Sequence, residues 1–207
     1  MAIIKSKHIW LYEAFFRFYT RRKLKRHFNR VYIEHDDKSY DGPILLLGNH
    51  FSWWDGFVGY FLNYSLFKKR YHVMMLEEQL ENRLFLNKVG AFSIKKSSRS
   101  LAESLAYSSE ILEDKRNLLL LFPQGRIETL YKKNFSFERG IEKVLKDVPE
   151  APHVFFLVNL VDYFSKQKPS LFVRTKKYEG AFSREVIQEA YNRFFEECVA
   201  RQAEKLI

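Results

Sequence analysis

The chain has 207 residues, a formal net charge of +10 and a hydrophobic fraction of 46%. This length predicts one domain with a sizeable core, and the hydrophobic fraction argues against a disordered chain. The single cysteine, Cys198, excludes an intramolecular disulfide and is predicted to be a buried apolar residue of the last helix.

The sequence has no run of 18 or more apolar residues, so no membrane-spanning helix is predicted. Its N-terminus is aromatic and basic and lacks the apolar core and cleavage site of a secretory signal. A cytoplasmic protein is therefore expected.

Most of the positive charge lies near the N-terminus. Residues 1–33 contain nine Lys and Arg residues against a single acidic residue, Glu13. Such an imbalance indicates a face that approaches an anionic surface, and phospholipid headgroups, nucleic acid and an acidic carrier protein are the candidates.

Residues 3–28 are predicted to form an amphipathic helix that docks on a membrane. The alternative is a helix that packs on the rest of the domain and has a solvated charged end. The predicted boundary of this docking segment lies after residue 33, and residues 34–207 form the main domain. The docking side chains would be Trp10, Phe15, Phe16, Tyr19, Arg21, Arg22, Lys23 and Lys25.

Beyond this segment the pattern alternates between strands and helices, which predicts an α/β fold with a mixed, mostly parallel sheet covered by helices. No internal repeat is visible. The predicted strands are 44–47, 71–76, 90–94, 118–122, 154–158 and 171–175, and the predicted helices are 55–67, 77–88, 98–114, 137–146 and 183–206.

Two polar turns follow predicted buried strands. The first contains His50, with Asp55 five residues later, and the second has the sequence Phe-Pro-Gln-Gly-Arg over residues 122–126. Active-site groups of open α/β folds lie at the carboxyl ends of strands, where the turn would let the carboxylate fix the imidazole tautomer. Separately, each turn has a simpler interpretation, as a core histidine held by a nearby aspartate and as a turn that ends a strand.

Together the two turns resemble the motifs of the lysophospholipid and glycerol-phosphate acyltransferase superfamily, whose first block is NHxxxxD and whose third is FPEGTR. Here the blocks read Asn49-His50-x4-Asp55 and Phe122-Pro123-x-Gly125, about seventy residues apart. Residues 90–96 resemble the second block, which ends in a basic residue, and residues 137–140 resemble the Phe-Lys-x-Gly that follows the third. The resemblance covers roughly residues 40–160, and the fourth block is only faintly present at residues 151–154.

The resemblance implies a glycerolipid acyltransferase-like fold, with His50 as the general base and Asp55 as its orienting partner. An acyl group would pass from acyl-CoA or acyl carrier protein to a lipid hydroxyl without a covalent acyl-enzyme, and no cofactor or metal is expected. Backbone amides near Gly125 are the first candidates for the oxyanion donors. The substrate-binding residues would be Asn49, Ser52, Lys96, Pro123, Gln124, Gly125 and Arg126.

The chain departs from the family pattern at several motif positions. Gln124 stands where the family usually has Glu, Arg126 where it has Thr, and Lys96 where it has Arg. Lysine is a point charge and not a bidentate fork, so the acceptor headgroup could differ from the standard lysophosphatidic acid. Trp53 and Trp54 could line an acyl channel, stack on a sugar or belong to the core.

The leading hypothesis is a membrane-associated O-acyltransferase on the cytoplasmic membrane face that acylates 1-acylglycerol-3-phosphate. Within the same class, the acceptor could be a glycolipid, a glycosylated carotenoid or an amino-acid lipid. An inactive acyltransferase-like lipid-binding protein is a rival from another class. A nucleic-acid-binding module is disfavoured, because the basic residues cluster in one aromatic helix and no nucleic-acid motif occurs.

Overall fold

The structure is a computed structural model that describes residues 3–35, 40–95 and 98–205. Its strands are β1 (Val31–Glu34), β2 (Ile44–Gly48), β3 (Arg70–Leu76), β4 (Ala91–Ile94), β5 (Asn117–Leu121), β6 (His153–Asp162) and β7 (Ser170–Tyr178). Its helices are α1 (Trp10–His27), α2 (Asp55–Leu62), α3 (Glu77–Glu81), α4 (Ser98–Ile111), α5 (Gly140–Lys146) and α6 (Arg184–Ala203). A π-helical turn, Asn63–Phe67, extends α2, and a 3₁₀ turn, Leu84–Lys88, precedes β4.

The strands form one seven-stranded sheet in the order β1-β7-β6-β2-β5-β3-β4. All neighbouring pairs are parallel except β6 with β7. The prediction of a mixed, mostly parallel sheet covered by helices is therefore confirmed. Because β2, β3, β4, β5 and β6 run in the same direction, their carboxyl ends meet at one edge, named here the carboxyl edge.

The central strands are buried on both faces, which explains their uninterrupted apolar sequences. All five residues of β2 and of β5 are buried. Leu45 and Leu47 belong to the cluster that α4, α5 and α6 cover, whereas Ile44 and Leu46 belong to the cluster that α1 and α2 cover. The sheet is thus the middle layer of three.

The N-terminal helix is shorter than predicted, because residues 3–9 are extended along the 3₁₀ turn and β4. Ile4 exchanges hydrogen bonds with Ser93, and the backbone N–H of Lys7 donates to Asn87 O at 2.8 Å. Apolar periodicity cannot reveal such pairing, since Ile3 and Ile4 suit an extended segment as well as a helix.

The predicted boundary after residue 33 falls inside β1, a strand that the sequence analysis did not find. Val31 pairs with Leu171 of β7, which places the end of the N-terminal segment in the main sheet. β6 is longer than predicted, because its pairing with β7 extends to Asp162 and Ser170. Within the described residues, no helix is both long and apolar enough to cross a membrane.

Candidate active site

The two motif turns lie side by side at the carboxyl edge. β2 and β5 are adjacent and parallel, with Leu47 opposite Leu121, so the chain leaves both strands at the same height. The first turn then leads into α2, and the second, which contains Gln124, leads into the loop that contains Glu128. The predicted meeting of the two turns therefore occurs.

His50 and Asp55 form a hydrogen-bonded pair, with 2.8 Å between His50 Nδ1 and Asp55 Oδ2. The same carboxylate oxygen accepts the backbone N–H groups of Phe51 and Ser52, each at 2.8 Å. Two fixed N–H donors make this oxygen an acceptor, so His50 Nδ1 carries the proton and Nε2 has a free lone pair. Asp55 is fully buried, whereas the His50 side chain is 23% exposed.

The start of α2 holds Asp55 in place. Asp55 is the first residue of the helix, where the helix dipole favours a negative charge. The helix sits tightly on the sheet at Gly59, where an added Cβ would lie 2.5 Å from Leu120 Cδ2. Tyr71 of β3 also donates its hydroxyl proton to Gly56 O at 2.9 Å. The carboxylate thus belongs to a helix that packs closely on β3 and β5.

The ring of Phe122 covers one face of the His50 imidazole. The two ring centroids are 4.2 Å apart and the planes differ by 14°. Together with the bond to Asp55, this stacking limits rotation of the imidazole, so Nε2 keeps one direction. No hydrogen bond engages His50 Nε2 within the described residues, which leaves it free to accept a proton from a bound molecule.

The backbone of His50 is held by the loop after β5. Its N–H donates to Gln124 Oε1 at 2.7 Å, and its carbonyl accepts the N–H of Glu128 at 2.8 Å. Gln124 Nε2 donates to Glu128 Oε2 at 2.7 Å. Burial favours a raised pKa for Glu128, but hydrogen bonds from Lys132, Gln124 and Arg126 outweigh it and lower the pKa to about 2. Glu128 is therefore ionised at neutral pH.

Asn49 and Gln124 were predicted to bind substrate, but the two residues are only 2% and 4% exposed. Their side chains form hydrogen bonds within the protein. Asn49 Nδ2 donates to Asn159 O at 2.9 Å, and Asn49 Oδ1 accepts the Asn159 N–H at 2.8 Å. This reciprocal pair ties the first turn to β6. Both side chains thus hold the turn of His50 through hydrogen bonds within the protein.

The other predicted binding residues divide into buried and accessible ones. Pro123 is buried, and Ser52 Oγ accepts the Trp54 N–H at 3.1 Å, so both stabilise turns. Gly125 has a φ of +65°, which glycine readily adopts. Its N–H donates to Phe122 O at 3.0 Å, so this amide is not free for an oxyanion. Arg126 is 70% exposed in its side chain, and Lys96 lies outside the described residues.

The predicted docking residues of α1 do not share one face. Phe16 is buried against Phe57 and Tyr60, so its assignment to a membrane-facing surface is wrong. Trp10 and Phe15 are 76% and 61% exposed. Tyr19 and Lys23 are half-buried, and Arg21, Arg22 and Lys25 are exposed. Aromatic residues surround the helix, so one side packs on α2 while another faces water.

Three features of the site were missed by the sequence analysis. Glu128 lies four residues after Gln124 but belongs to no motif, and nothing in its spacing predicts a bond to His50. The stacking role of Phe122 also went unnoticed. At the ends of β3 and β4, Glu77 and Lys95 form an ion pair of 2.5 Å, which their positions after two parallel strands could have indicated.

Comparison with known proteins settles the family. The model of the family described as Acyltransferase matches residues 22–155, well over half of the sequence. The chain belongs to the acyltransferase family. The enzyme is accordingly an acyltransferase, and the matched region includes both motif turns. No curated protein matches the sequence.

A solved structure supports the same fold. The crystal structure of the 1-acyl-sn-glycerophosphate (LPA) acyltransferase PlsC from Thermotoga maritima is similar to this enzyme, with a TM-score of 0.64. The sequences are 13% identical, and the match covers 94% of this chain and 81% of that chain. The architecture is shared at this level of identity.

Proposed function

We propose that this acyltransferase moves a fatty acyl group from acyl-CoA or acyl carrier protein to a lipid hydroxyl, with 1-acylglycerol-3-phosphate as the leading acceptor. The observation that carries the proposal is the oriented pair of His50 and Asp55, whose free Nε2 opens at the carboxyl edge. No cofactor or metal takes part in the proposed reaction. Among the described residues, no group of three or more potential metal ligands is present.

The proposed reaction needs one general base. His50 Nε2 takes the proton of the acceptor hydroxyl as its oxygen attacks the thioester carbonyl carbon. The C–O bond forms, the C–S bond breaks, and the imidazolium returns the proton to the departing thiolate, which leaves as a thiol. Asp55 stabilises the imidazolium in between. No acyl-enzyme forms along this route.

The acceptor phosphate is proposed to bind Arg126 and Lys96. Arg126 donates through Nε to Glu128 Oε1 at 3.0 Å, and its side chain is 70% exposed. A guanidinium fixed at one nitrogen is well suited to bind a phosphate. If the acceptor is instead a glycolipid, Trp53, 46% exposed and three residues from His50, offers a face for a sugar ring.

We further propose that the enzyme is peripheral on the cytoplasmic membrane face. A chain of ring contacts supports this, because Phe15 stacks on Tyr19 at 6.1 Å, Tyr19 contacts Phe57 at 6.2 Å, and Phe57 contacts Trp53 at 4.4 Å. The exposed rings of Phe15 and Trp53 are thus joined through half-buried Tyr19 and buried Phe57. Insertion of these two exposed rings at an interface would bring His50 to lipid substrates.

The basic end of α1 supports attraction to anionic lipids. Arg21 and Lys25 line a cavity of about 460 Å³ together with Arg30, and Leu24 and Phe28 form part of its apolar wall. No ion pair of Arg21 or Lys25 occurs within the described part of the chain. Unpaired cations beside apolar side chains match the chemistry of an anionic lipid headgroup and its first methylenes.

The direct test is an acyl-transfer screen. Purified enzyme is incubated with isotope-labelled acyl-CoA or acyl carrier protein and a panel of lysolipids and glycolipids, and products are identified by mass spectrometry. We expect labelled phosphatidic acid from 1-acylglycerol-3-phosphate. A labelled glycolipid would establish the alternative acceptor, and no product with any acceptor would favour the inactive lipid-binding protein.

A further inference from the structure

The side chain of Gln124 bridges the backbone of His50 and the carboxylate of Glu128. Gln124 Oε1 accepts the His50 N–H at 2.7 Å, and Gln124 Nε2 donates to Glu128 Oε2 at 2.7 Å. Gln124 is 4% exposed, so water does not replace either bond easily. The bond to Glu128 therefore depends on an amide NH₂ group at this position, whereas the bond to His50 needs only an acceptor oxygen.

The chemistry of the bridge allows only one arrangement. A backbone N–H can only donate, so the carbonyl oxygen of Gln124 must face His50 and its NH₂ must face Glu128. A glutamate at position 124, the usual residue of the family's third block, could still accept from His50. It would have no proton for Glu128 and would place two carboxylates in contact.

Glu128 has a second bond to the catalytic turn. Its backbone N–H donates to His50 O at 2.8 Å, so one loop holds the His50 residue at both its N–H and its carbonyl. Arg126 and Lys132 pair with the carboxylate and keep it charged. The NH₂ group of Gln124 thus donates to a carboxylate that is ionised at neutral pH.

We propose that Gln124 and Glu128 are coupled positioning residues that together fix the His50 backbone. Glu128 accepts a hydrogen bond from the NH₂ group of Gln124, and this bond allows glutamine to replace the usual glutamate at position 124. The pair acts through His50 and touches no substrate. Its effect is to keep Nδ1 against Asp55 and Nε2 in the attack direction. Loss of the coupling therefore makes the position of the His50 imidazole less defined, while every group that takes part in the reaction stays present.

An exchange of charges tests this coupling. Gln124→Glu leaves two acceptors facing each other, whereas the double variant Gln124→Glu/Glu128→Gln restores one donor and one acceptor in reverse order. Glu128→Gln alone still offers an amide oxygen that accepts a hydrogen bond from Gln124 Nε2, so it should be the milder single change. Gln167→Glu, in the exposed hairpin between β6 and β7, is the matched control for an added carboxylate.

Two readouts separate the coupling from the proposed function. The proton on His50 Nδ1, observed by NMR, reports the bond to Asp55 without any substrate, while kcat for acyl transfer rests on the proposed function. We expect Gln124→Glu to lose or shift the NMR signal at neutral pH and to lower kcat about tenfold, the size of a typical coupled contact. The double variant should restore both to within a few fold of wild type.

The pH dependence adds a signature that a packing defect would not give. Two carboxylates in contact share a proton as the pH falls, so the activity ratio of Gln124→Glu to wild type should rise towards pH 5. A ratio that is flat with pH, or a double variant as impaired as Gln124→Glu, would overturn the proposal. If Gln124→Glu does not fold, the double variant decides: it must fold and show the wild-type His50 signal. A normal signal without acyl transfer in wild type would reject the proposed function and leave the coupling intact.

Discussion

Phe122 and His50 lie face to face, with ring centroids 4.2 Å apart and planes 14° apart. An aromatic pair of this kind contributes about 0.5–1.5 kcal/mol beyond its buried area. Phe122→Leu should therefore lower kcat by about 2- to 10-fold, whereas Phe122→Tyr, which keeps a ring, should lower it less. Steady-state kinetics with matched melting temperatures checks this, and equal kcat values for Leu and Phe would show that the stacking does not matter.

The general base assignment gives the largest expected effect. His50→Ala should abolish acyl transfer in a folded protein, because the variant lacks the proposed general base. Asp55→Asn should lower kcat by about 10²–10⁴-fold, because an amide cannot stabilise the imidazolium and favours the wrong tautomer. Circular dichroism confirms folding, and a folded His50→Ala variant with full activity would remove the mechanism.

The headgroup assignment predicts a change in acceptor kinetics. Lys96→Ala and Arg126→Ala should each raise the KM for a phosphate-bearing acceptor more than the KM for the acyl donor, because both charges are assigned to the acceptor phosphate. Lys146→Ala, on the exposed side of α5, is the control. Unchanged acceptor KM values in both variants would indicate an acceptor without phosphate.

Membrane binding is predicted to depend on the outward side of α1. Phe15→Ser with Phe18→Ser, or reversal of Arg21, Arg22, Lys23 and Lys25 to Glu, should release the enzyme from phosphatidylglycerol vesicles in sedimentation assays. Each basic residue near such a surface contributes about 1 kcal/mol, an attraction that raised salt weakens. Turnover of a short-chain, water-soluble acceptor should persist.

The buried neighbour of these residues supplies the control. Phe16→Leu should lower the melting temperature and leave vesicle binding unchanged, because Phe16 packs against Phe57 and Tyr60. Reversal of four exposed lysines elsewhere, Lys143, Lys146, Lys166 and Lys168, controls for net charge. Undiminished sedimentation of the α1 variants would mean that α1 is ordinary packing and that docking, if any, lies elsewhere.

Acid sensitivity is predicted from a buried histidine of β3 that contacts the N-terminal segment. His72 Nδ1 lies 2.9 Å from Ser6 Oγ, and burial, with His8 nearby, lowers the pKa of His72 to about 3. Below its unfolded pKa near 6.5 the unfolded chain binds more protons, so stability should fall as the pH drops from about 6.5 towards 3. Asp114, which favours protonation, and Arg70, which opposes it, also act on this ring.

The contribution of His72 can be isolated by comparing two proteins across pH. Protonation of carboxylates also destabilises the protein as the pH falls. Urea unfolding of wild type and His72→Gln should therefore be compared at pH 7 and pH 4. The wild type should lose about 2–3 kcal/mol more than the variant over this interval. Equal losses would show that His72 is not the responsible group.

Much of the architecture was predictable, because strands buried on both faces leave continuous apolar runs such as residues 44–47 and 118–121. β1 was missed because Val31–Glu34 follows a basic helix directly and is only half-buried. The start of α5 was placed three residues early, because Phe137 packs as a core residue before the helix begins at Gly140. Local periodicity does not distinguish these cases.

At the site, the pairing of His50 with Asp55 followed from their spacing, since a short turn before a helix brings the two together. The contacts of Gln124 and Glu128 did not, because they depend on the register of β2 against β5. The same limit applies to α1. Its sequence shows many aromatic residues but does not reveal that Phe16 and Leu24 face the sheet while Phe15 and Phe18 face water.

This two-sided use of α1 constrains how the segment can be altered or exchanged. Phe16, Thr20 and Leu24 are at most 5% exposed, and Phe16 and Leu24 share a hydrophobic cluster with β2, β5 and β6. A helix transplanted from a relative would have to fit both the packed side, which contacts the core, and the exposed side. The segment therefore cannot be exchanged without regard to the rest of the domain. Truncation at residue 33 would likewise remove three of the four residues of β1 and uncover core side chains, so only point changes on the outer side can separate attachment from folding.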